Sequence, residues 1–120
     1  MESKYKNLEV RKKSMDLCEM TYKLIINFPK QEIYWLVDQI KRSSVSIPSN
    51  IAEWDQRWTN KENIRFLYIA KWSAAELETQ ITLSKRLWFI NDTQFLEIQD
   101  TITQILKMLS AYITYKSKNI

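Results

Sequence analysis

Apolar side chains return every three or four residues in four separate stretches of this chain, the step of an α-helix that buries one face. In the first stretch, 7–28, they are Val10, Leu17, Cys18, Leu24, Ile25 and Phe28, with Ser14 and Thr21 completing the stripe. Pro29 stops it. The second, 31–53, carries Leu36, Ile40, Ser44, Ile47 and Ile51, with Val37 and Val45 alongside. Pro48 interrupts it. An interior proline removes a backbone donor and disfavours helical geometry at Ile47, so a kink or a break is expected there. The third stretch, 59–87, is lined by Phe66, Leu67, Ala70, Ala74, Leu77, Ile81 and Ser84. It opens on Thr59-Asn60-Lys61-Glu62, a hydroxyl N-cap with a carboxylate three residues on. The fourth, 92–115, follows the caps Asn91 and Asp92 and carries Phe95, Ile98, Ile102, Ile105, Leu106, Leu109, Tyr112 and Ile113. No stretch alternates like a strand. Four helices of roughly 30 Å joined by short connections make sequential helices antiparallel neighbours. The predicted fold is therefore all-α, an antiparallel up-down four-helix bundle forming a single domain over 1–120.

Composition changes this picture at one point. The 120 residues include five tryptophans and no glycine, where a chain of this length ordinarily holds roughly eight glycines. Trp35, Trp54, Trp58, Trp72 and Trp88 stand at a helix start, in turns, beside the small pair Ser73-Ala74 and past a helix end. Several of these are natural glycine positions. Two readings are open: a codon meaning glycine in the source organism rendered as tryptophan, or a protein with exposed indoles. In the second reading the rings could stack on bases or anchor an interface; in the first, neither role exists.

Charge and residue chemistry exclude more than they assign. Eighteen basic and 14 acidic residues leave a formal charge of +4, which permits a polyanionic partner without demanding one. Histidine is absent. With it go the usual general base, the commonest metal ligand and every Ser-His or Cys-His nucleophile. The chain is read as no enzyme, and no cofactor or metal is expected. Cys18, alone, excludes an internal disulfide, lies on an apolar stripe as an inert core residue, and fits a reducing cytoplasm. The charged start Met1-Glu2-Ser3-Lys4 with no apolar run behind it argues against a signal peptide, and no apolar run is long enough for a membrane span.

Three stretches are more specific. They are Ser43-Ser44-Val45-Ser46-Ile47-Pro48-Ser49-Asn50-Ile51-Ala52-Glu53, then Thr59-Asn60-Lys61-Glu62 with Arg65-Phe66-Leu67 and Ile69-Ala70-Lys71, then Ser73-Ala74-Ala75-Glu76-Leu77-Glu78-Thr79-Gln80. Together they resemble the 23S rRNA intervening-sequence proteins, also called four helix bundle proteins, over about residues 8–115. The resemblance implies an antiparallel bundle assembling as a homopentamer. It also implies genes that in some cases lie inside insertions in ribosomal RNA genes. A related branch is the accessory variability protein of diversity-generating retroelements, which binds nucleic acid and a reverse transcriptase; the Ser-Ile-Pro run here points to the intervening-sequence branch. Glycine is usual in the family at the positions of Trp54, Trp72 and Trp88 and common at those of Trp35 and Trp58. Asn63 departs from the usual phenylalanine.

Candidate sites follow. Arg11, Lys12 and Lys13 cluster on the first helix, Arg42 sits beside Lys41 on the second, and Arg57, Lys61 and Arg65 surround the start of the third. Several cations together could contact phosphates and release counterions. The same residues could form a solvated face balanced by Glu9, Asp38, Glu53 and Glu62. In a pentamer the excess would sum to roughly +20 on one particle, which favours the polyanion. A second group, Ser46, Asn50, Glu53, Ser73 and Glu76, is expected to form a polar network fixing helix register around Pro48. The function expected is a basic scaffold associating electrostatically with nucleic acid, RNA favoured, and with copies of itself. The alternatives are an adaptor docking on a reverse transcriptase and, last, a metal-dependent nuclease.

Overall fold

The computed structural model describes residues 2–29, 34–56 and 60–118, with side chains from residue 9 onward except those of 60–63. Four α-helices account for nearly all of them: α1 (Glu2–Ile25), α2 (Tyr34–Gln56), α3 (Asn60–Arg86) and α4 (Asp92–Lys118). The predicted Thr59 cap, the residues ahead of Tyr34, and the side chains of Glu62 and Asn63 lie outside the described residues. The helices differ from the sequence reading at their ends. α1 starts earlier and stops at Ile25, and α2 and α4 run a turn further, to Gln56 and Lys118. Amphipathic periodicity marks where a helix is buried, not where it stops.

Each helix packs on two neighbours, α1 and α3 both lying against α2 and α4, and the diagonal pairs stand apart. Side-chain pairs set the register. Arg11 meets Asp55 and Cys18 meets Ser44 across α1 and α2. Ser46 meets Ser73 across α2 and α3, Glu78 meets Gln99 across α3 and α4, and Lys13 meets Gln104 across α1 and α4. Numbers rise on one helix as they fall on the next, so all neighbours are antiparallel. The particle measures 47 × 24 × 19 Å, long enough for the roughly 40 Å rod that 27 helical residues make.

The core is the set of stripes. Val10, Leu17 and Ile25 of α1, Leu36, Ile40, Ile47 and Ile51 of α2, Leu67, Ala70, Ala74, Leu77 and Ile81 of α3, and Ile98, Ile102, Ile105, Leu109 and Ile113 of α4 are all buried. Ser14, Thr21, Ser44 and Ser84 are buried among them, and each hydroxyl donates to a carbonyl three or four residues back in its own helix. A small polar group can thus face the core without an unmet hydrogen bond. Val45, predicted beside the α2 stripe, is instead exposed. Pro48 breaks nothing: α2 is continuous through it.

The α3–α4 turn shows how the chain reverses without glycine. Leu87 donates to Leu83, Trp88 to Lys85 (3.0 Å) and Phe89 to Ser84 (2.9 Å). The last two bonds are the paired closures of a Schellman motif, whose pivot adopts the left-handed conformation. That pivot is Trp88, with φ 65°, the one positive φ among the described residues. Phe89 then packs on Phe28 at 5.5 Å and closes this end of the bundle. Asn91 starts α4. Its Oδ1 accepts from the Gln94 N–H at 2.8 Å and its own N–H donates to Gln94 Oε1 at 2.9 Å, a reciprocal capping box. Asn91→Ala is expected to lower stability by about 1 kcal/mol in chemical denaturation, because it strips the Gln94 N–H of its acceptor.

Candidate nucleic-acid interface

The antiparallel register decides which of the candidate cations meet. The Arg11–Asp55 ion pair, 3.1 Å, ties the early part of α1 to the end of α2. The same half of the bundle holds the start of α3 and the end of α4. Lys12 is exposed, Lys13 donates to Gln104 Oε1 at 2.7 Å, and Arg65 is exposed with its guanidinium 5.1 Å from the Phe66 ring centre. Arg11, Lys12, Lys13 and Arg65 therefore share one end. Arg57 and the side chain of Lys61 lie outside the described residues.

Arg42 does not join them. It lies 13 residues before Asp55 on α2, about 20 Å away along the axis, and is engaged one turn back with Asp38 at 3.1 Å. The sequence grouped it with the others only by charge. The structure adds cations that the sequence reading passed over. Lys107 is exposed three residues past Gln104, the partner of Lys13, and Lys116 and Lys118 close α4 about 20 Å beyond Gln104. The signal was available, since antiparallel pairing of α1 with α4 sets Lys13 beside Gln104. Lys12 and Lys107 have no ion partner among the described residues. Glu9, Glu53 and Asp55 stand nearby, with Asp55 engaged by Arg11. A cationic end with few acids is a surface on which phosphates can replace counterions.

The polar group between α2 and α3 joins Ser46, Asn50 and Ser73. Ser46 and Ser73 hydroxyls lie 2.7 Å apart, and the Asn50 amide donates to the Ser46 carbonyl (2.8 Å) and hydroxyl (3.0 Å). Glu53 and Glu76 are exposed. Glu76 sits three residues past Ser73, about 60° short of a full turn, and on the solvent side of α3. The connected trio, two hydroxyls and an amide, contains no base that could activate a nucleophile; it joins two helices through residues about half a turn either side of Pro48.

Other chemistry is sparse. Among the described residues no group of three or more Cys, Asp or Glu side chains could hold a metal ion. Tyr112 has its phenol pushed up to about 12, first by burial and then by the negative charge of Glu9. It stays neutral throughout the physiological range and packs its ring 5.1 Å from Trp54. Cys18 is half-buried, its Sγ 3.8 Å from Ser44 Oγ. Trp35 and Trp72 are each 59% exposed and Trp88 is 91% exposed; Trp58 lies outside the described residues. No described helix is long and apolar enough to cross a membrane.

Comparison with known proteins places this geometry. A family model described as the 23S rRNA-intervening sequence protein matches residues 6–111. Among solved structures the chain is similar to a protein of unknown function from the S23 ribosomal protein family of Bacteroides thetaiotaomicron. The two share 29% sequence identity and a TM-score of 0.83, over 91% of this chain and 98% of that one. No curated protein matches the chain.

Proposed function

The chain belongs to the 23S rRNA-intervening sequence protein family, and we propose that it is a non-enzymatic, self-associating scaffold that holds RNA by phosphate contacts at the cationic end of its bundle. The observation that carries this reading is that Arg11, Lys12, Lys13, Arg65, Lys107, Lys116 and Lys118, from three helices, all lie in one half of the bundle, from Lys13 near its middle to Lys118 at its end. No histidine accompanies them, since the chain has none, and the part-buried trio of Ser46, Asn50 and Ser73 holds no carboxylate. Contacts of this kind read backbone charge, so weak sequence preference is expected.

Self-association is supported by an apolar strip along the α1–α2 face. Lys41 Nζ sits 5.7 Å over the Tyr22 ring, which aligns the two helices on that side. Met15 precedes Tyr22 by two turns, Ile26 follows it by one, and Val45 follows Lys41 by one. Met15, Tyr22, Ile26, Tyr34 and Val45 are all exposed. An exposed run of this length on a small bundle is the usual mark of an interface. Copies arranged around it, five in the arrangement that the family resemblance implies, add their positive charge into one field.

The test is a mobility shift with single-stranded RNA, alongside sedimentation of the free protein. A shift at about 50 mM salt that largely disappears by about 200 mM is expected, with an assembly larger than one chain and the RNA recovered intact. No shift at the lower salt would overturn the reading. RNA cleavage that stops with a chelator would replace it with a nuclease. Salt-indifferent capture of a reverse transcriptase would replace it with an adaptor.

A further inference from the structure

We infer that position 88 is glycine in the protein made by its own organism, and that positions 35, 54, 58 and 72 are glycine there as well. The inference starts from the backbone. Trp88 is the pivot of the turn that ends α3, with φ 65°, and both closing bonds are made by backbone groups alone. Glycine takes this conformation at no steric expense, whereas any Cβ crowds the neighbouring carbonyl. The indole offers nothing in exchange, since it stands 91% exposed. A large apolar ring is thus placed where the fold has no use for one and the backbone asks for none.

The rest of the chain extends this from one position to five. Glycine is wholly absent while five tryptophans are present. Trp35 and Trp72 also hold their rings largely in solvent. A single cause at the level of one codon, rendered as tryptophan in place of glycine, accounts for both the absence and the excess, and it acts on every such codon alike. Trp54 is therefore the demanding case. It is 2% exposed and packs on Tyr112, so nothing in its packing asks for glycine. It lies two residues inside the end of α2, so its assignment rests on the shared cause alone. None of the cations in the proposed RNA interface is among these positions, so the two readings stand or fall separately.

The experiment is peptide sequencing by mass spectrometry of the protein isolated from its own organism. Glycine at all five positions is expected, with an intact mass lower by five indolylmethyl groups and no tryptophan fluorescence. Tryptophan at any one of the five overturns the single cause. A recombinant pair isolates the backbone argument: Trp88→Gly should raise the melting temperature by about 3 °C over the tryptophan chain, and Trp88→Ala should not. An unchanged or lower value for Trp88→Gly would contradict the argument at position 88.

Discussion

Leu77→Ala is expected to lower the unfolding free energy by about 3 kcal/mol and the melting temperature by roughly 10 °C at fixed protein concentration. Leu77 is fully buried at the middle of α3, the helix that packs on both α2 and α4. Removing its branched end takes away apolar surface and leaves a void that rigid neighbouring helices fill only in part. Leu96→Ala provides the contrast. It deletes the same side chain from an exposed site on α4, so its effect on the unfolding free energy should stay within about 0.5 kcal/mol. Equal effects for the two would mean that the stripe through Leu77 is not the core. Denaturant titration of both variants makes the comparison, with self-association held constant because an oligomer's stability depends on concentration.

Replacing Lys12, Lys107 and Arg65 together by glutamine is expected to weaken RNA binding by at least about tenfold near 0.1 M salt, and to make its salt dependence shallower by about 2 in slope. The three residues come from α1, α4 and α3 and lie in the half of the bundle where its cations gather. All three are exposed and none contributes to the core, so the melting temperature should hold while affinity falls. Arg42→Gln is the control. It removes an equally basic side chain about 20 Å away along α2, where it is already engaged with Asp38. Its effect on RNA affinity should be less than twofold. If Arg42→Gln weakened binding as much as the triple change, the contact surface would run along the bundle rather than sit at its end. Fluorescence anisotropy with a labelled single strand reads both.

Most of the fold could be read in the chain because a helix repeats its burial every turn. Ile40, Ile47 and Ile51, or Ile98, Ile102, Ile105 and Leu109, each announce the same face several times over, and all of them are buried. Short connections then leave antiparallel packing as the economical arrangement. Local end signals were legible where two residues act together. Asn91 was recognised as a cap, although Gln94 completes the box. Pro48 misled, because a proline inside a packed helix removes one bond that the neighbouring turns and the contact with α3 outweigh.

The interface was less legible because it is made by register, not by sequence proximity. Arg42 lies closer in the chain to Arg57 than Gln104 does to Lys13, yet the antiparallel pairing of α1 with α4 sets Gln104, three residues before Lys107, against Lys13, and α2 carries Arg42 into the other half of the bundle. Glu76 fails for a related reason. A three-residue step from Ser73 stays on one side of the helix only roughly, and here the difference of about 60° from a full turn separates a contact with α2 from solvent. The tryptophans were visible in composition from the start. What the sequence lacked was the φ of 65° at Trp88, a backbone property that no side-chain pattern encodes.

The most direct measurement is the equilibrium constant for single-stranded RNA as salt is raised from about 50 to 300 mM, plotted as logarithm against logarithm. Six or so phosphate contacts from the cationic end give a straight line with a slope of about −4. A flat line, or no measurable complex at the lowest salt, would contradict binding through the phosphate backbone and with it the role proposed for this bundle.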